Sequence, residues 1–174
     1  PVSQGSYIWD TTTASNTLDA LWRIILEADT NVMDQSDTIF NIRNDTRNFY
    51  VNNAATSGDV FTTSPGHDGN DGRSPASPKA TLENLLAVYD TEANDTVYID
   101  TGIYTSSVIQ VIWSRGGSTN GLMIIRGSTN YTGGGTVIRR PGLAGDAIVL
   151  NASYVGLRDL VFENAGRGLF LQTN

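Results

Sequence analysis

Apolar residues at Leu18, Leu21, Trp22, Ile25 and Leu26 fall three and four positions apart, which places them on one face of a helix. Asn16 or Thr17 in front can accept an orphan backbone N–H as an N-cap, so the pattern predicts an amphipathic helix over residues 18–28. Residues 37–42 then alternate apolar and polar, as a strand does. This pair of elements recurs. Thr81-Leu82-Glu83-Asn84-Leu85 repeats Thr17-Leu18-Asp19-Ala20-Leu21, and Asp95-Thr96-Val97-Tyr98 repeats Asp37-Thr38-Ile39-Phe40. The second copy predicts a helix over 82–89, with Leu82, Leu85, Leu86 and Tyr89 on its apolar face, leading into a strand.

From Asp95 onward the pattern is of short strands separated by Gly or Asn turns: 97–100, 108–112, 122–126, 136–139, 147–150, 154–157, 160–162 and 168–171. Three of these faces recur in the same order. Met123-Ile124-Ile125-Arg126 aligns with Val155-Gly156-Leu157-Arg158, Val137-Ile138-Arg139 with Val161-Phe162-Glu163, and Ile148-Val149-Leu150 with Leu169-Phe170-Leu171. The offsets shrink from 32 to 24 to 21 because residues 130–135 add a loop to the earlier turn. A repeat of about 20 to 25 residues with three strands per turn predicts a parallel β-solenoid, whereas a sandwich would need tight hairpins. Ile125, Leu157, Ile148 and Phe170 are expected to point inward. The chain divides near Asn48 into a forepiece, residues 1–48, and residues 49–174, an N-terminal cap with the first rungs. Residues 1–16, polar and Thr-rich with Ile8 and Trp9 as the only large apolar pair, read as an edge strand or strap, and residues 44–48 as a polar hinge.

Composition narrows the partners. Eighteen acidic against eleven basic residues give a net charge of −7, and Arg43, Arg47, Arg126, Arg139 and Arg140 are too dispersed for a basic stripe, so nucleic acid is not expected. No apolar run approaches the ~18 residues of a membrane-spanning helix. With no cysteine, disulfides, thiolate metal sites and thiol catalysis are excluded. The sequons at Asn44, Asn94, Asn130 and Asn151 carry no weight in a chain so rich in Asn, Ser and Thr. The chain begins with Pro rather than Met, and is taken as a mature or excised piece of something longer.

The stretch Gly66-His67-Asp68-Gly69-Asn70-Asp71-Gly72-Arg73-Ser74-Pro75, followed by Pro78-Lys79-Ala80-Thr81-Leu82, Asp95-Thr96-Val97-Tyr98-Ile99 and Gly102-Ile103-Tyr104, resembles the N-terminal segment of right-handed parallel β-helix proteins of the pectate-lyase-like superfamily. Residues 17–42 resemble the corresponding motif of polymorphic outer-membrane-type β-helix surface proteins. The resemblance implies an all-β fold, a right-handed parallel β-helix (solenoid) with N-terminal capping helices. It also implies a secreted or cell-surface location and a role in polysaccharide cleavage, polysaccharide binding, adhesion or scaffolding. One fold hosts many functions, so it does not choose among them.

Candidate chemistry is sparse. His67, the single histidine, lies in a Gly-rich loop with no triad-like neighbours and reads as an exposed loop residue. Asp68, Asn70 and Asp71 offer three oxygen side chains that could hold calcium. A calcium site needs six to eight oxygens, so an Asx-turn cluster is favoured and no cofactor is expected. Arg126 and Arg158 should stack about 4.8 Å apart on successive strands, close enough to grip a uronate carboxylate, although neutralisation by Asp159 is the plainer reading. Arg139 and Glu163 read as a cross-strand ion pair. Asp146, Asp159 and Glu163 fall on different parts of the coil, which does not suit a glycosidase pair.

The sequence therefore reads as a non-catalytic structural or adhesive module of a larger extracellular or cell-surface protein, able to bind polysaccharide or assemble end to end. The alternative is the N-terminal part of a polysaccharide lyase or glycoside hydrolase with its active site on later rungs. Further rungs of the same polypeptide or neighbouring copies are the expected partners at the C-terminal coil end.

Overall fold

A computed structural model describes residues 17–42 and 48–172. The strap at residues 1–16 and most of the hinge at 44–48 lie outside the described residues. The chain forms two compact units, Pro1–Asp45 and Thr46–Asn174.

In the first unit two strands, residues 17–20 and 23–26, stand where a helix was expected, and the strand expected over 37–42 is observed over 40–42. β1 (Thr17–Ala20) pairs antiparallel with β4 (Phe40–Ile42), and β2 (Arg23–Leu26) pairs antiparallel with β3 (Asp29–Gln35) through a turn at Glu27 and Ala28. Two causes favour the hairpin. A helix of eleven residues is marginal without a surface to cover its apolar face, whereas Arg23-Ile24-Ile25-Leu26 carries adjacent β-branched residues that suit a strand. Ile25 then sits opposite Met33. Both remain exposed, as do Ile24, Leu26 and Val32.

The second unit contains β5 (Asn48–Val51), α1 (Leu82–Val88), β6 (Thr96–Ile99), β7 (Gly102–Thr105), β8 (Ile109–Val111), β9 (Met123–Gly127), β10 (Thr136–Arg139), β11 (Asp146–Leu150), β12 (Val155–Arg158), β13 (Leu160–Glu163) and β14 (Arg167–Leu171). They form three parallel sheets of order β12-β9-β6-β5, β13-β10-β7 and β14-β11-β8.

This corrects the expected all-β, right-handed parallel β-helix with N-terminal capping helices. The sheets are short, separate ladders that do not close, and the described residues hold one seven-residue α-helix rather than two capping helices. That helix lies within the connection of two adjacent parallel strands, β5–α1–β6, so the arrangement is of the α/β type: parallel strands need a long crossover, and here residues 52–95 supply it. Thr81 caps α1 by accepting from the Asn84 N–H, and Leu82, Leu85 and Leu86 are buried as its spacing requires.

The strand alignments agree with the observed registers. Ile125 lies opposite Leu157, Val137 opposite Val161 and Ile148 opposite Leu169. The core runs as columns across the sheets. Phe49, Val97 and Ile125 are fully buried and Leu157 half-buried at the end of their column. Phe170 is a correction: it is in register with Val149, not with the buried Ile148 or Leu150, and Arg167 lies 4.0 Å above its ring. Leu169 and Leu171 take the core-side positions instead. β7 was also missed, because Gly102-Ile103-Tyr104-Thr105 is too short an alternation to stand out beside Asp100 and Ser106.

Candidate carbohydrate-binding face

Alternation along the four-stranded sheet sends Phe49, Val97, Ile125 and Leu157 to the core and their neighbours to the opposite face. Strand register then aligns Tyr50, Tyr98, Arg126 and Arg158 in a single row across β5, β6, β9 and β12. The Tyr50 and Tyr98 rings stack with centroids 5.6 Å apart and planes 19° apart. Phe61, from the long loop, packs at 4.8 Å against Tyr98, and the Arg126 guanidinium lies 5.9 Å from the Phe61 centroid. The result is a strip that is aromatic at the β5 side and cationic at the β12 side.

Arg126 and Arg158 are brought together as expected. Asp159 stands beside Arg126 with Oδ2 3.6 Å from Nε, but that Nε, although buried, makes no hydrogen bond. Asp159 also accepts from the Tyr131 hydroxyl at 2.7 Å, and this bond pushes the tyrosine pKa above its ordinary value. Asp159 reaches this place because it forms the single-residue corner between β12 and β13 with φ of 55°, a left-handed conformation that Asp tolerates better than most residues. The Arg158 side chain is exposed and makes no hydrogen bond or ion pair among the described residues.

The loop that delivers Phe61 is held by a residue the sequence reading did not single out. Asp100, fully buried after β6, accepts hydrogen bonds from the N–H groups of Val60 (2.7 Å), Phe61 (2.8 Å), Thr62 (2.7 Å) and Thr101 (2.8 Å), and from the Thr62 hydroxyl (2.8 Å). Tyr104 donates its hydroxyl to the Asp100 carbonyl at 3.0 Å, and burial, with the Asp100 charge second, drives its pKa far upward. Further along, Lys79 is buried and gives Nζ to the carbonyls of Asp68 (2.9 Å) and Asn70 (2.7 Å). Gly66 lets the loop pass: a Cβ there would run into the Asn52 carbonyl.

The proposed calcium ligands are occupied otherwise. Asp68 accepts from the N–H groups of Ala80 and Thr81 and from the Thr81 hydroxyl; Asn70 donates to the Pro78 carbonyl; Asp71 accepts from the Arg73 N–H. These are the turn and clamp contacts of an Asx cluster. His67 is exposed, its Nδ1 accepting from the Gly69 N–H at 3.0 Å. The last acids each meet their own arginine: Asp159 meets Arg126, Glu163 takes two bonds from Arg139 at 2.9 and 2.7 Å, and Asp146 binds Arg167. A cavity of about 130 Å³ beneath α1, where Ser106 bonds to Glu83, is too small for a sugar.

Tyr50, Tyr98 and Phe61 were missed. A signal existed for the tyrosines: Phe49-Tyr50-Val51 and Val97-Tyr98-Ile99 share the apolar-Tyr-apolar alternation that Ile125-Arg126-Gly127 continues. Phe61 carried none, since its placement depends on the path of the loop.

No family model, curated protein or solved structure matches the chain. The likeness of its motifs to pectate-lyase-like proteins therefore assigns no family. No helix among the described residues is long and apolar enough to cross a membrane.

Proposed function

We propose that residues 48–172 are a non-catalytic structural and binding module of a larger secreted or cell-surface protein, and that they hold an acidic polysaccharide along Tyr50, Tyr98, Arg126 and Arg158. The row itself carries the reading. Stacked aromatic rings offer an apolar platform for the C–H faces of sugar rings, and guanidinium groups recognise carboxylates in a planar, bidentate manner. The strands step by about 4.8 Å, a spacing that lets successive sugar units meet successive side chains. The exposed Arg158, without a counter-ion among the described residues, favours an anionic chain over a neutral one. Asp146, Asp159 and Glu163, each beside its own arginine, give no adjacent pair of free carboxylates, which supports binding rather than glycosidase chemistry.

The outer edges of β12, β13 and β14, which meet no further strand among the described residues, are where further strands, from the same polypeptide or a neighbouring copy, would add. The opposite edge of the four-stranded sheet, β5, is already bonded to Gly72 and Lys79.

Titration calorimetry of the chain with polygalacturonate and with a neutral glucan tests the proposal. Polygalacturonate should bind and weaken with salt, and Tyr98→Ala and Arg158→Ala should each lower affinity about tenfold, equivalent to roughly 1.4 kcal/mol. Failure to bind either polymer, or binding that both variants leave unchanged, overturns it.

A further inference from the structure

Residues 130–135 lengthen one repeat relative to the next, and none of the binding row comes from them. The loop is tied down. The Asn130 side chain donates to the Gly58 carbonyl at 2.9 Å and accepts from the Gly133 N–H at 3.0 Å, and the Gly135 N–H donates to the Asn130 carbonyl at 2.9 Å. What the loop presents is Tyr131, 63% exposed, with its hydroxyl given to Asp159 Oδ1 at 2.7 Å. Water would satisfy so exposed a hydroxyl equally well, so the bond matters for where it holds Asp159.

Asp159 has two neighbours to choose between. Its backbone is fixed at the corner between β12 and β13, with φ of 55° and its carbonyl packed so close over Gly127 that a Cβ there would lie 2.0 Å from the oxygen. Only the side chain can turn. It meets the Tyr131 hydroxyl at hydrogen-bond distance but stands 3.6 Å from Arg126 Nε, beyond the ~2.8 Å of a charged N–H···O bond. The Arg126 side chain in turn makes no hydrogen bond among the described residues. Its Nε is closed to solvent, yet the side chain is 40% exposed and its two terminal nitrogens are not closed off. Those terminal N–H groups are the donors that an incoming carboxylate takes as a pair.

We propose, resting on the binding row described above, that Tyr131 is a positioning residue: it holds the Asp159 carboxylate off Arg126 and keeps the guanidinium free for the carboxylates of an acidic polysaccharide. Without the tyrosine hydroxyl, Asp159 turns onto Arg126 and occupies it as an internal substitute for the ligand. Arg158, whose side chain has no carboxylate partner among the described residues, is open without such help. The latch therefore sets affinity at Arg126, in the interior of the row.

A double-mutant cycle read by titration calorimetry with polygalacturonate tests this. Tyr131→Phe should lower affinity about threefold and Asp159→Asn should raise it about threefold, the scale of a partly exposed ion pair. In the Asp159→Asn background, Tyr131→Phe should change affinity by less than about 1.5-fold, because the group it restrains is no longer charged. Asp71→Asn, which removes the same charge from an exposed position elsewhere, should leave affinity unchanged. An unchanged affinity in Tyr131→Phe overturns the proposal. So does a loss that persists in the Asp159→Asn background, since the tyrosine would then touch the polymer itself, and so does a gain in Asp71→Asn equal to that in Asp159→Asn. NMR of the ligand-free chain gives a second readout: the Arg126 Nε–H should move downfield and exchange more slowly in Tyr131→Phe, where Asp159 accepts from it, and an unmoved resonance counts against the latch. A wild-type chain that binds no polygalacturonate overturns the binding reading, whereas this resonance needs no ligand and still decides whether Tyr131 restrains Asp159.

Discussion

The two edges of the four-stranded sheet are built from similar residues and end differently. At β5 the edge is finished: the Tyr50 N–H donates to the Gly72 carbonyl at 2.8 Å, the Lys79 N–H to the Tyr50 carbonyl at 3.0 Å and the Asn52 N–H to the Lys79 carbonyl at 2.9 Å. Tyr89, just after α1, sets its ring 4.8 Å from that of Phe49. At β12 no strand follows among the described residues, and the neighbouring ladders stop in the same way at β13 and β14. Phe49, Val97 and Ile125 are 0% exposed, whereas Leu169 and Leu171, in register with buried Ile148 and Leu150, are 40% and 66% exposed. Position, not residue type, makes that difference. An open parallel edge with apolar side chains beside it is a place where strands add, and the closed edge shows the loop and helix that prevent it.

The largest effect should come from the closed edge. Asp100→Ala removes a buried carboxylate from four backbone N–H groups and should cost about 4 kcal/mol or more, measured by denaturant unfolding. A loss under about 1 kcal/mol would mean the loop does not depend on it.

A matched pair along one column sharpens the contrast. Ile125→Ala should cost about 3 to 4 kcal/mol, because the cavity it leaves is enclosed on both sides, and Leu157→Ala roughly half of that. Equal costs would indicate that the β12 edge is covered in solution. Least of all, Leu171→Lys should change stability by no more than about 0.5 kcal/mol and should reduce self-association in sedimentation velocity. A strongly destabilised Leu171→Lys would place that side chain in a core.

Much of the strand order was legible because parallel strands repeat their alternation, so aligning Ile125 with Leu157 and Ile148 with Leu169 read the ladder from the sequence pattern. α1 was legible for a similar reason, with Leu82, Leu85 and Leu86 sharing one buried face. Residues 18–28 misled because their spacing fits a helix while Ile24 and Ile25 pair better as a ribbon, and local periodicity cannot say whether a surface exists to bury the face. The two arginines of the row, Arg126 and Arg158, were found through the repeat. Asp100 was not, since nests of backbone N–H groups arise from the three-dimensional path of a loop that sequence spacing does not encode.

The asymmetry between the edges is tested most directly by hydrogen exchange on the isolated chain. Amides of β6 and β9, flanked by strands on both sides, should exchange slowest and report near-global opening, while those of β13 and β14 should exchange at least about tenfold faster. Protection of β13 and β14 equal to that of β6 would contradict the account of one closed and one open edge.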